Sequence, residues 1–86
     1  MKILTNKTIV LSDVIVRVRD LSDVQDVILA EHGGISKKSL IVSFVPSLKG
    51  MEPYYTVTDY YGTSVLGTYL VNTAVNTYNN ITEKEE

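Results

Sequence analysis

Apolar and polar positions alternate along residues 14–19, in the first part of the chain. Residues 8–19 are rich in β-branched side chains, and Val14, Val16 and Val18 fall on one side of the alternation. A repeat of two residues is typical of a strand that has one buried and one solvated face. The pattern therefore predicts a first β-strand over residues 8–19, with Arg17 and Arg19 on its solvated face.

The apolar residues that follow Asp20 change to a helical repeat. Four of them would share one stripe of a helix: Leu21, Val24, Val27 and Ile28. Ser22 and Gln25 have the spacing of a capping box, and Gly33-Gly34 is a typical helix end. We expect a helix of about ten residues here, with His32 capping its C-terminus, where the helix dipole favours a cation.

Three more strands and a second helix are predicted after Gly34. Residues 39–45 predict a strand that is apolar on both faces, ended by Pro46, and residues 46–53 predict a loop. Strands over residues 54–60 and 64–69 flank a turn at Gly62. From Leu70 onward the apolar spacing predicts a helix, and partial strand structure over residues 63–79 is the alternative.

The predicted order of elements is β-α-β-β-β-α. It indicates an α+β fold in two layers, with an antiparallel-rich sheet of three to four strands and both helices on one face. A chain of 86 residues has one core to build, so residues 1–80 are predicted to form a single domain. Residues 81–86 are predicted to be a frayed acidic tail.

The six tyrosines all lie between Tyr54 and Tyr78. In the predicted strand Tyr54 and Tyr60 share one face, and Tyr55 and Tyr61 share the other. Both pairs cannot be core in a two-layer fold, so one pair is expected on the surface. Tyrosine is enriched in binding surfaces, and ordinary cross-strand pairing on a solvated face is the alternative.

Charge and cysteine content narrow the function classes. The formal net charge is −2 and there is no cysteine, which excludes disulfides and thiolate metal sites. A domain that grips phosphate backbones usually carries clustered positive charge. This chain has only two small basic clusters, the Arg17/Arg19 pair and Lys37-Lys38, so nucleic-acid binding is disfavoured and is kept as the alternative function. Its five candidate contacts are Arg17, Arg19, Lys37, Lys38 and Lys49.

Two short resemblances bear on that alternative. Leu66-Gly67-Thr68-Tyr69, followed by Ala74-Val75 and Tyr78-Asn79, resembles the end of AP2/integrase-arm DNA-binding domains. The resemblance implies a three-stranded sheet that leads into a helix, and DNA recognition by that sheet. The α-β-β-β-α order after residue 20 resembles a double-stranded-RNA-binding domain, which implies phosphate contacts at the start of the last helix.

Chemical motifs are not apparent in the sequence. It has no nucleophile–base pair, no metal cluster and no phosphate loop, so we expect no enzyme activity, no cofactor and no metal. No apolar run is long enough for a signal peptide or a membrane span, and we expect a cytoplasmic protein without membrane contact.

The sequence is most consistent with a small non-catalytic binding protein. Its expected partner is another protein, or a second copy in a self-associating structural protein with strand 39–45 at the contact. The candidate binding residues are Tyr54, Tyr60, Tyr61, Asp23 and Asp26, and the two aspartates belong to an acidic helix face. Small acidic domains without cysteine are frequent among phage and mobile-element accessory proteins, and some of those inhibit host enzymes.

Overall fold

A computed structural model of the protein describes residues 3–21 and 26–82. Six elements follow one another in the order α-β-β-β-β-α. The helices are α1 (Leu11–Asp20) and α2 (Val71–Asn80), and the strands are β1 (Val27–Gly33), β2 (Lys37–Ser47), β3 (Gly50–Thr58) and β4 (Ser64–Thr68).

The first element is a helix, so the strand predicted over residues 8–19 is wrong. Val14 is fully buried, and Leu11, Val18 and Leu21 pack against the same core. These positions recur every three or four residues, which is the stripe of an amphipathic helix. The β-branched run satisfies a strand repeat and a helix repeat together, and tertiary packing selects the helix despite weak intrinsic propensity.

The helix predicted after Asp20 is also wrong, because Val27–Gly33 forms β1. The expected capping residues Ser22 and Gln25 lie outside the described residues. The register of β1 against β2 shifts between Ile28 and Ala30, which is a bulge. Because Leu29 and Ala30 are both fully buried, the strand shows no clean alternation in the sequence.

The four strands form an antiparallel meander in the order β1-β2-β3-β4. Residue 4 adds a parallel bridge to β1, in which the Leu4 amide donates to Leu29 and its carbonyl accepts from Glu31. The predicted loop 46–53 is wrong, since β2 and β3 continue through it to a two-residue turn at Leu48-Lys49.

The central hairpin extends beyond its neighbours. Within residues 3–21 and 26–82, β1 pairs with β2 as far as Val42, and β4 pairs with β3 from Tyr55 onward. Residues 43–54 therefore project as a two-stranded segment, which we call the arm. The molecule is accordingly elongated, at 46 × 22 × 20 Å.

Both helices pack on one face of the sheet. Inward side chains of the strands, including Leu40, Val42 and Val57, join Val14 and Ala74 in one buried cluster. α2 begins after the predicted turn at Gly62 and the predicted strand β4, as the spacing from Leu70 indicated. The predicted α+β class is confirmed, with the first helix preceding the first strand instead of following it.

The two helices are joined at their ends by polar contacts. The Asn79 side chain accepts from the Ile9 amide at 2.7 Å and donates to the Ile9 carbonyl at 3.0 Å. The Tyr78 hydroxyl donates to the Asn6 carbonyl at 3.0 Å. These bonds fix the start of α1 against the last turn of α2.

Candidate interaction surface

The sheet face away from the helices carries few charged side chains. We call this surface the open face, and by the strand register it includes Ile28, Ile41, Ser43, Val45, Tyr54 and Thr56. Glu52 lies opposite Val45 on the same side, and Ser39 and Thr58 continue the face toward the other end of the sheet. Ile28 is exposed and the others are half-buried by their neighbours on the sheet. Strand 39–45 therefore looks apolar on both faces because one face is core and the other belongs to the open face.

Two tyrosines meet at the edge of the open face. The rings of Tyr54 and Tyr69 pack edge to face, with centroids 4.8 Å apart. Gly67 makes this packing possible, because a Cβ at that position would collide with the Tyr54 hydroxyl. The glycine of the Leu-Gly-Thr-Tyr segment thus leaves room for the Tyr54 ring to pack against Tyr69. Tyr54 and Tyr69 together form an aromatic ledge beside the base of the arm.

The arm ends in an apolar tip. Leu48 is fully exposed and Met51 is half exposed, with Lys49 between them at the turn. Ser47 supports the turn, since its hydroxyl donates to the Gly50 carbonyl at 3.0 Å and accepts from the Lys49 amide at 3.2 Å. Phe44 of the arm packs against the core, so the exposed part of the arm is its turn end.

Each edge of the arm carries one proline. The two-residue turn makes Ser47 and Gly50 a hydrogen-bonded pair, so alternation makes Pro46–Met51 and Phe44–Pro53 non-hydrogen-bonded pairs. The nitrogens of Pro46 and Pro53 therefore point away from the hairpin, where an amide would otherwise be a free donor. Proline at an edge disfavours strand addition. Phe44 and Met51 direct their own peptide groups to the same edges, so each edge of the arm keeps one outward N–H and the prolines weaken strand pairing there.

The tyrosines predicted as a surface pair do not lie on one face. β3 ends at Thr58, so Tyr60 and Tyr61 belong to the following turn. That turn is held by the Asp59 carboxylate, which accepts from the amides of Tyr61 and Thr63. Tyr61 is exposed, whereas Tyr60 is only 5% exposed. Tyr54 therefore remains on the open face without Tyr60 beside it.

Lys38 is a fully buried lysine at the other end of the sheet. Its ammonium group donates to the carbonyls of Tyr78, at 2.6 Å, and Ile81, at 3.0 Å, and lies 4.2 Å from the centroid of the Tyr78 ring. These carbonyls end α2, where a cation is favoured by the helix dipole. Burial, with a smaller contribution from Lys7, lowers the pKa of Lys38 to about 8.

Burial also raises the pKa of two tyrosine hydroxyls, those of Tyr78 and Tyr55. Desolvation, with smaller effects from Tyr60 and Glu31, raises the pKa of Tyr78 to about 12. Burial also raises the pKa of Tyr55 in the core. Both phenols stay protonated at neutral pH. Tyr55 and Tyr78 belong to the buried cluster, and the Tyr78 ring packs against the Lys38 ammonium group at the end of the sheet.

His32 lies in β1 and not at a helix end, so its predicted capping role is wrong. Its Nδ1 is 2.7 Å from the Tyr60 hydroxyl. An open hollow of about 420 Å³ lies beside it, lined by Thr5, Glu31, His32, Gly33 and Lys37. Within residues 3–21 and 26–82, no group of three or more His, Cys, Asp or Glu side chains is placed to hold a metal ion.

The residues proposed for nucleic-acid contact do not form one surface. Arg17 and Arg19 lie on α1, Lys37 begins β2, and Lys49 is at the tip of the arm. Lys37 and Lys49 are at opposite ends of β2, and Lys38 is buried against α2. The structure thus separates the cations that a phosphate backbone would need along one track.

The acidic candidates are only partly described. Asp23 lies outside the described residues, and Asp26 is exposed immediately before β1. Because the segment after Asp26 is a strand, the predicted acidic helix face does not continue into residues 27–31.

Sequence reasoning missed two features of this surface, the arm and the buried Lys38. Lys38 shares the even-numbered alternation of Leu40, Val42 and Phe44, and this alternation places it on the inner face. Pro46 and Pro53 conceal the arm in the sequence, because a short segment with a proline at each end is typical of a loop.

Comparison with known proteins gives no assignment. No family model matches the chain, and neither a curated protein nor a solved structure matches it. No helix in the described part of the chain is long and apolar enough to cross a membrane.

Proposed function

We propose that this chain is a non-catalytic binding protein that docks on a partner protein through its arm. The observation that carries the proposal is the fully exposed Leu48 at the tip of a hairpin that projects beyond the sheet. Neighbouring large apolar side chains that are left exposed mark sites of contact with a partner protein. The half-exposed Met51 lies beside Leu48 and adapts readily to the pockets of a partner.

The open face supports the same proposal. Tyr54 is the last residue of the arm, and its ring continues the apolar surface toward Tyr69. Aromatic side chains of this kind are enriched at the centres of interfaces, where charged residues are depleted. The partner contact is therefore proposed to run from the tip of the arm to the Tyr54–Tyr69 ledge.

An accessory role, in which docking regulates or inhibits the partner, is part of the proposal. A cytoplasmic location is part of the proposal, and a chain without cysteine can function in that reducing compartment.

Affinity capture from a nuclease-treated lysate of the source organism tests the proposal. The test variant carries Leu48→Ser and Met51→Ser, and the control carries Ile35→Ser. Ile35 is as exposed as Leu48 but lies in the turn between β1 and β2, at the opposite end of the sheet. All three substituted side chains are exposed, so the fold is expected to survive each change.

The native chain and the Ile35→Ser control are expected to retain one protein partner near stoichiometry, and the arm variant is expected to lose it. Partner capture that is unaffected by the arm substitutions would contradict docking through the arm. Capture that occurs only from a parallel lysate without nuclease would instead favour a nucleic-acid ligand.

A further inference from the structure

The β4 edge is the one described sheet edge that has neither a covering segment nor a proline. At β1 the outer edge is bridged by Leu4, and along the arm Pro46 and Pro53 each remove one donor from an edge. β4 pairs only with β3 in the part of the chain that the structure describes. Natural proteins commonly protect a free edge with proline, lysine or a covering segment. β4 has a short length and a register shift beside Val65, but its sequence contains no charge.

The charge-free character extends well beyond β4. No Asp, Glu, Lys, Arg or His occurs from Tyr60 to Thr82, a stretch that contains the edge strand and the whole of α2. Three apolar side chains along this side are about half exposed: Val65, Tyr69 and Leu70. The depletion of charge with exposed aromatic and aliphatic residues is the composition of an interface core.

The available backbone groups can be assigned from the register. Pro53–Phe44 is a non-hydrogen-bonded pair, so the pair Tyr55–Val42 is one as well, and Tyr55 directs its peptide groups toward Thr68 of β4. The next residue of β4, Gly67, therefore directs its N–H and C=O to the outer edge. Gly67 is exposed and has no side chain to obstruct a neighbouring strand.

We propose that a second copy of this chain pairs with β4 across a two-fold axis, antiparallel and centred on Gly67. Gly67 then exchanges two backbone hydrogen bonds with Gly67 of the second copy. The same register places Val65 opposite Tyr69 of the second copy, which is a favourable cross-strand pair of a β-branched and an aromatic residue. The two sheets become one sheet of eight strands.

A second copy is favoured over an unrelated partner because the surface is complementary to itself. In a two-fold contact every group meets the same surface, so a charged strip would oppose like charges. The flank of α2 next to β4 presents Thr73 and Thr77, by the helical repeat that turns Asn79 toward α1. A hydroxyl both donates and accepts, so it can pair with its own copy.

Sedimentation velocity from micromolar to millimolar concentration tests the proposal, with Val65→Lys as the test variant and Val16→Lys as the control. Val65 and Val16 are both 47% exposed, and Val16 lies on α1. The native chain and the control are expected to double in mass as concentration rises. A lysine on the edge strand is expected to weaken the dimer by about tenfold or more.

A native chain that remains monomeric at millimolar concentration would overturn the proposal, and so would equal effects of the two lysine variants. Amide hydrogen exchange of the native chain keeps the test independent of the variants. Protection of residues 64–68 is expected to rise with concentration while that of β2 stays constant. A dimer that protects the arm or the open face in place of β4 would refute edge pairing.

This inference goes beyond the proposed partner docking and fails separately from it. The arm variant Leu48→Ser/Met51→Ser is expected to dimerise normally, since both substituted residues lie at the tip of the arm, away from β4. Conversely, Val65→Lys is expected to retain the captured partner, because it leaves Leu48 and Met51 unchanged, although Tyr69 belongs to both proposed contacts.

Discussion

Replacing Lys38 by methionine is expected to remove most of a pH dependence from the stability of the fold. Methionine matches the length of the buried chain but has no ammonium group for the carbonyls of Tyr78 and Ile81. Leaving these carbonyls without a donor costs about 1–3 kcal/mol, and removing a buried charge acts in the opposite direction. The net change at neutral pH is therefore less informative than the change of stability with pH.

The sign follows from the two pKa values of Lys38. The pKa is about 8 in the folded protein and 10.5 in the unfolded chain, so the unfolded chain holds more protons between these values. The free energy of unfolding consequently rises with pH through this window. With these two pKa values, the free energy of unfolding rises by about 1.9 kcal/mol between about pH 7.5 and pH 9.5. Solvent screening at the partly exposed helix end lowers the expected rise to about 1–1.5 kcal/mol.

The raised pKa of Tyr78 sets the upper limit of the experiment. Its value of about 12 exceeds the ordinary 10.0 of an unfolded tyrosine. The stability that this protonated phenol contributes is complete below about pH 10 and is lost as the pH approaches about 12. Measurements below about pH 9.5 therefore isolate the effect of Lys38 from that of the tyrosine.

Urea denaturation followed by circular dichroism, at several pH values, provides the measurement. Lys37→Met is the matched control, because Lys37 is the preceding residue of β2 and is exposed. The native chain and the control are expected to gain stability as the pH rises, whereas Lys38→Met stays nearly constant. If Lys38→Met kept the full native slope, the assignment of the pH dependence to this amine would be refuted.

Two further substitutions test the turns and the tyrosine ledge. Gly33→Ala is expected to destabilise the fold by about 2 kcal/mol or more, because Gly33 has φ +137° and an added Cβ would meet the Ser36 carbonyl. Gly34→Ala is the control: an added Cβ there meets no neighbouring atom, so the melting temperature should change little. Gly67→Ala is expected to cost about 1–2 kcal/mol through its clash with the Tyr54 hydroxyl, and adding Tyr54→Phe should recover part of that loss in a double-mutant cycle of denaturation measurements; purely additive effects would contradict this account.

The second half of the chain was predicted more accurately than the first because its local signals agree. Gly62 provides the left-handed turn that separates β3 from β4, and its φ is +80°. The stripe of Ala74, Val75 and Tyr78 is buried as the helical spacing predicts. Here turn chemistry and periodicity indicate the same structure, and tertiary packing had nothing to override.

The predictions for the first third of the chain are wrong because its local signals conflict. In α1 the β-branched residues favour a strand, while Leu11, Val14 and Val18 follow a helical repeat. In β1 the bulge at Leu29 interrupts the alternation that identifies a strand. Both assignments depend on which partner each segment packs against, and that information is not local.

The candidate surface was predictable only in part. An outward tyrosine set was expected, and Tyr54 is on the open face, but the strand ends before Tyr60 and the turn buries that ring. The arm depends on β1 and β4 being shorter than the hairpin between them. That difference in length follows from the registers of three strand pairs, which no single segment of the sequence reveals.

The meander has a consequence for the order in which the chain can fold during synthesis. Every strand pairs with its neighbour in sequence, so each hairpin can close with a short loop as soon as its second strand is made. α1 is different, because its bonds through Ile9 reach Asn79, 70 residues away. A short helix rich in β-branched residues has little stability alone. We therefore expect α1, the first helix to leave the ribosome, to become ordered only after the sheet and α2 have formed.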